Sequence, residues 1–209
     1  MVVVVVVVVV LVSSGKNPIR LITGGGDKPI PAFSFTVTKM QAVPTKPGVS
    51  PKKLANKAKA ATKSAATILD AFYTQAFLDP NLWGQDSTAF DNFSADAQSA
   101  ATKKLTILTA GPNAASELAD LQPSPSKLST QVLFDDKGAA YQIMATVLFK
   151  ADATLKAGGN ATMVSTGQYF LTQIGGSWKV VAFEVKRADS SASVTPSTGP
   201  TPTPTGAQS

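Results

Sequence analysis

A carboxylate and a phenol three residues apart, Asp70 and Tyr73, are the first side chains along this chain that could share a chemical task. Tyr141, Tyr169 and Glu184, all on segments that read as strands, complete the set of candidates. A buried carboxylate beside a tyrosine can act as a general base with an oxyanion donor at its side. Asp70 and Tyr73, however, stand at i and i+3 of one predicted helix, an arrangement more often found as a contact at a surface or rim. No residue is therefore assigned as catalytic, and the balance leans away from an enzyme.

What is missing narrows the chemistry further. The 209 residues contain no Cys and no His. Without cysteine there is no disulfide and no thiolate metal site, and without histidine the commonest general base and zinc ligand are gone. Gly24-Gly25-Gly26 lacks the Lys-Ser/Thr that a phosphate cradle needs, and it sits in a Pro-rich connector. No carboxylates are spaced as a metal loop, so no metal or other cofactor is expected. Asn92-Phe93-Ser94 and Asn160-Ala161-Thr162 fit the glycosylation pattern, which matters only in a host with that pathway.

The elements that would hold these side chains are legible in outline. Ser50-Pro51 opens a helix, Ser as N-cap and Pro at the first helical position. Leu54, Ala58, Ala61, Ala65, Ile68, Phe72 and Ala76 recur at steps of three and four, with Leu69 and Phe77 widening the stripe, and Asp79-Pro80 ends it. A turn-rich corner around Trp83 and Phe90 follows, then a second helix over Ala95 to Thr109 and a short third over Ala114 to Leu121, closed by Pro123 and Pro125.

From Leu128 to Arg187 the pattern predicts four antiparallel strands. Asp135-Asp136-Lys137-Gly138, Gly158-Gly159-Asn160 and Gly175-Gly176-Ser177 mark three turns, and three in a row make a meander. Tyr141, Ile143, Ala145, Val147, Phe149 and Ala151 give one apolar face at period two. The middle two segments run about eighteen and fourteen residues, far beyond the usual strand of about five or six, so bends are expected, Gly167 being a natural place for one. Such a sheet forms a hollow that a helix should fill.

The ends of the chain differ from its body. Val2 to Val12 is apolar without a break, yet eleven helical residues span about 16 Å against a hydrocarbon core of about 30 Å. Three readings stay open: the trailing half of a membrane helix, a degenerate signal or anchor, or a low-complexity tail. Lys16 to Lys63 carries ten Lys or Arg against the single acid Asp27, whereas the remainder has nine against twelve. Beside an apolar run, that charge suits a stalk drawn to anionic headgroups. A solvated linker is as good a reading. Nucleic acid is not an expected partner, because the basic stretch has few aromatic stacking platforms. The Thr-Pro repeats after Ser190 read as disordered and favour an extracytoplasmic surface, whereas basic residues just after the apolar run, if it spans as it stands, favour a cytoplasmic domain. The expected organisation is thus a leader over 1–15, a basic linker over 16–49, one domain over 50–189 and a tail over 190–209.

Leu69-Asp70-Ala71-Phe72-Tyr73 with Phe77-Leu78-Asp79-Pro80, then Gly167-Gln168-Tyr169-Phe170-Leu171 with Trp178-Lys179-Val180-Val181-Ala182-Phe183, carry a resemblance. The chain resembles the nuclear transport factor 2-like superfamily and, given its apolar start, the uncharacterised Mce-associated type of actinobacterial membrane proteins. The resemblance implies an α+β, cystatin-like cone with a long N-terminal helix packed in a curved four-stranded antiparallel sheet. It also implies a membrane-tethered, non-catalytic domain presenting its surface to a protein or lipid partner, or to a second copy as a homodimer. Two alternatives accompany it: a small-molecule pocket, such as the isomerases and dehydratases of the superfamily have, and an assembly role like that of the related factor of conjugation and type IV secretion machines.

Overall fold

The computed structural model describes residues 28–46, 50–84 and 88–191. The apolar leader, the first part of the basic linker and nearly all of the Thr-Pro tail therefore lie outside the described residues.

Five strands form one mixed sheet in sequence order, β1 (Thr36–Pro44), β2 (Leu118–Phe134), β3 (Ala140–Leu155), β4 (Asn160–Ile174) and β5 (Ser177–Ser191). The last four are the expected antiparallel meander. The fifth corrects the expected count. β1 comes from the stretch read as a connector and lies parallel to β2, Thr36 opposite Lys127 through to Pro44 opposite Phe134. A parallel neighbour needs a long crossover, and the helices between Ser50 and Glu117 supply it. Phe33-Ser34-Phe35-Thr36-Val37 alternates apolar and polar residues, a strand-like pattern that covers only the first two residues of β1. Phe35, just ahead of β1, and Met40 within it are both buried, so the folded body begins well before Ser50.

The long helix α1 (Pro51–Tyr73) follows Ser50, whose backbone is extended as at an N-cap but whose side chain makes no cap hydrogen bond, so the start is marked by Pro51 at the first position. Leu54, Ala58, Ala61, Ala65, Leu69 and Phe72 face inward, and the helix lies across β1, β2 and β3. Alanine at three of these six places lets the backbones approach closely. After Tyr73 the spiral widens into one π turn, Thr74–Leu78, closed by Asp79 N–H donating to Thr74 O at 2.8 Å. Ala76, Phe77 and Leu78 are all buried along this turn. The carbonyl of Ala76, for which Pro80 has no N–H to offer, accepts from Ala110 N–H at 2.8 Å.

Two other expected helices are shorter than their patterns suggested. The second is broken at Lys103-Lys104 into α2 (Ala95–Thr102) and α3 (Leu105–Leu108), and the break carries Lys104 Nζ over the Phe183 ring at 5.8 Å. The third, α4 (Ala114–Glu117), stops at Glu117, because Leu118 and Leu121 are drawn into β2 opposite Leu155 and Ala153. Pro123 and Pro125 do not end a helix; they sit inside β2. They are tolerated because β1 covers only the Lys127–Phe134 part of that strand, leaving this stretch an edge. The ladder shifts register between Ser124 and Lys127, and Ser126 Oγ accepts from Lys150 N–H at 3.0 Å in place of the missing ladder bond.

Further register shifts at Val37/Lys39, Leu133/Phe134 and Phe170/Leu171 bend the strands. The bend expected at Gly167 falls instead at Phe170/Leu171. Gly167 has another reason to be glycine: a Cβ there would lie 2.5 Å from Glu184 O and 2.9 Å from Val185 Cα. At the first hairpin, Asp135 accepts from the N–H groups of Lys137 and Ala139, and Gly138 takes φ +71°.

Candidate functional site

α1 carries Asp70 and Tyr73 to its buried end, and β4 brings Tyr169 up beneath them. Tyr169 stands opposite Ala145 on β3 and Phe183 on β5, on the face of the sheet that meets the helix. Tyr73 and Tyr169 are both fully buried, with their hydroxyls 3.0 Å apart, and Tyr73 also reaches Ser165 Oγ at 3.2 Å. Three buried hydroxyls thus satisfy one another, which is how polar groups are tolerated in an apolar interior. Tyr73 packs edge-to-face on Phe35 and Phe72, stacks on Phe77 and meets Phe149 at a tilt.

Burial decides the acidity of these groups. It pushes the Tyr73 phenol up to about 12, the hydrogen bonds with Ser165 and Tyr169 partly opposing it. It drives Tyr169 well above its ordinary 10, with Tyr73 adding to the effect. Both phenols are neutral across the physiological range. They can hold each other and Ser165, and they have no readily ionised proton to exchange.

Asp70 behaves differently. Its half-buried carboxylate accepts the N–H of Phe35 at 2.8 Å, which tethers the chain just ahead of β1 to α1. Burial raises its pKa to about 6 and the Phe35 bond opposes that rise. A base poised near neutrality can signal catalysis, yet this carboxylate is occupied by a backbone amide, and its raised pKa traces to desolvation alone.

The remaining sequence candidates do not join this cluster. Glu184 pairs with Gln168, one residue from Tyr169 along β4, and so projects from the opposite, solvent face of the sheet. Tyr141 is 39% exposed at the start of β3. The structure therefore brings together Tyr73 and Tyr169, sets Asp70 one turn away on a separate contact, and leaves Tyr141 and Glu184 apart.

Open space lies elsewhere. A cleft beside Trp83 and Leu105 holds about 10 Å³, the lower limit for a single water. An open groove of about 430 Å³ crosses the far end of the sheet. One row of residues runs through it over four strands, Gln122, Asp152, Thr162 and Ser190, each opposite the next, with Thr154 and Asn160 in the row beyond. Asp152 accepts from Ser124 Oγ and from Thr162 Oγ1. The alternation along β3 is enough to set Asp152 off from the apolar set Ile143 to Ala151, but the row itself is not legible locally, because the register that aligns four strands is set by turns and bulges. Among the described residues no group of three or more Asp and Glu could hold a metal ion, and no helix is long and apolar enough to cross a membrane.

Compared with models of known protein families and with curated proteins, the chain matches none.

Proposed function

We propose that this chain is a membrane-tethered binding or scaffold domain that works through its surface. One observation supports this reading above the others: the space between α1 and the sheet is occupied by Phe35, Phe72, Tyr73, Phe77, Phe149 and Tyr169 in mutual ring contact. A pocket enzyme needs a concave site with convergent polar groups. Here the convergent hydroxyls are consumed by one another, and the larger groove is open and lies at the far end of the sheet, away from them.

The nuclear transport factor 2-like cone belongs to the same proposal. It is supported by a long helix laid on a meander whose strands carry repeated register shifts. The parallel β1 is an addition to the four-stranded pattern that the resemblance implied. The tether rests on the uninterrupted apolar run Val2 to Val12, and an extracytoplasmic placement on the Thr-Pro tail.

Flotation of the full chain with phosphatidylcholine vesicles tests the tether: it floats with the lipid, and deletion of residues 2–12 leaves it behind. A full chain that stays in the aqueous fraction sinks the reading. Titration of the folded chain with small apolar fluorophores tests the occupied interior, where saturable one-to-one binding displaced by Phe149 substitutions would favour a small-molecule pocket instead.

A further inference from the structure

The solvent face of α1 is a basic surface with no counterpart elsewhere in the described helices. Lys52, Lys53, Lys59 and Lys63 are all exposed, and no Asp or Glu occurs between Pro51 and Leu69. At 100° per residue Lys52, Lys59 and Lys63 fall within about 40° of one another, with Lys53 on the flank. The buried stripe of Leu54, Ala58, Ala61, Ala65 and Leu69 lies on the opposite side, so these lysines point away from the sheet.

Among the described residues none of the four has an acidic partner. Other cations at this end are engaged: Lys46 pairs with Asp136 at 3.1 Å, and Lys57 Nζ donates to Gly138 O at 2.6 Å. Asp70, the one acid on the helix, is turned toward Phe35. Four unpaired like charges spread over about 17 Å of one helix are unfavourable in isolation, and an extended anionic surface would relieve them.

We infer that the lysine face of α1 docks the domain flat against an anionic lipid surface. This rests on the proposed membrane tether, whose chain geometry fits it. Fifteen residues separate Val12 from Lys28, a reach of about 50 Å at full extension, enough for α1 to lie on the bilayer that receives the apolar run. The partner is a bilayer rather than a nucleic acid, because the face presents no aromatic side chain for stacking on bases.

The test is co-sedimentation of the full chain with phosphatidylcholine vesicles and with vesicles containing phosphatidylglycerol. Each lysine near an anionic surface contributes up to about a fivefold factor, and screening reduces it. The expected result is a preference of at least tenfold for anionic vesicles at low salt, largely abolished in K52Q/K53Q/K59Q/K63Q, retained in the matching Arg variant, and weakened by salt. Binding to the neutral vesicles reports the tether separately and is unchanged in these variants. An anionic preference that survives the four Gln substitutions, or that disappears only when Lys16, Arg20 and Lys28 are replaced, overturns the inference. So does tighter binding to duplex or single-stranded nucleic acid at the same salt. The substituted side chains are exposed, and an unchanged circular dichroism spectrum and melting temperature establish that the variants fold.

Discussion

Asp70→Asn separates the cost of burying a charge from the benefit of holding β1. The carboxyl is raised from 3.8 to about 6 in the folded protein, so the folded state keeps its proton more tightly than the unfolded chain does. Below about pH 4 both states are protonated and the residue costs nothing. As the pH climbs from about 4 to about 6 the unfolded chain loses its proton first, and stability falls by about 2–3 kcal/mol, at about 1.4 kcal/mol for each pH unit separating the two pKa values. Above that window the penalty is constant. Asparagine removes the charge and keeps an acceptor oxygen for Phe35 N–H.

Urea unfolding of D70N should therefore match the parent at pH 4 and exceed it by about 2 kcal/mol at pH 7, which for a body of this size is a gain of about 4–8 °C in melting temperature. Asp70→Ala removes the acceptor as well, so it should gain less at pH 7 and be less stable than the parent at pH 4. If D70N were destabilised at pH 7, or if its difference from the parent did not change between pH 4 and pH 7, the carboxylate would be an asset of the native state and the burial account of Asp70 would be wrong.

Three further outcomes follow from the packing. Tyr73→Phe strips both Ser165 Oγ and Tyr169 Oη of their partner and should cost about 2–4 kcal/mol in denaturant unfolding, whereas Tyr169→Phe leaves the Tyr73–Ser165 bond and should cost only about 1 kcal/mol; equal losses would mean the triad is not wired through Tyr73. Gly167→Ala places a methyl 2.5 Å from the Glu184 carbonyl, so the β4–β5 ladder must shift, at a cost of about 2–3 kcal/mol; a variant as stable as the parent would show the ladder to be looser than this close approach implies. Trp83→Phe loses the 2.7 Å bond from Nε1 to Phe77 O, which leaves that buried carbonyl at the π turn unpaired and should lower stability by about 1–3 kcal/mol by the same assay.

The regular parts of the fold could be read from local pattern. Ser50-Pro51 fixed the start of α1, the three Gly-containing turns fixed the meander, and period-two alternation put Ile143 to Ala151 on the inner face, with only Tyr141 of that set left exposed. What escaped was decided by tertiary pairing. β1 has a strand pattern only in its first residues, and its Pro and Lys content argued for a connector until β2 offered it a partner. Leu118 and Leu121 suit a helix as well as a strand, and the facing Leu155 and Ala153 chose the strand. The same limit applied to the candidate site. Asp70 and Tyr73 were legible as a pair on one helix, but their different partners, Phe35 and the Ser165–Tyr169 hydroxyls, lie 35 to 96 residues away in sequence.

A closed aromatic interior is the premise from which a surface function follows, and tyrosine ionisation measures it. In a Tyr141→Phe background only Tyr73 and Tyr169 remain, and phenolate absorbance can be followed against pH alongside circular dichroism. The structure predicts no reversible phenolate signal below about pH 11, with ionisation appearing only together with loss of the folded spectrum. Reversible ionisation of either tyrosine near pH 10 while the sheet remains intact would mean that water reaches the centre of the molecule, and a pocket would have to replace the surface as the seat of function.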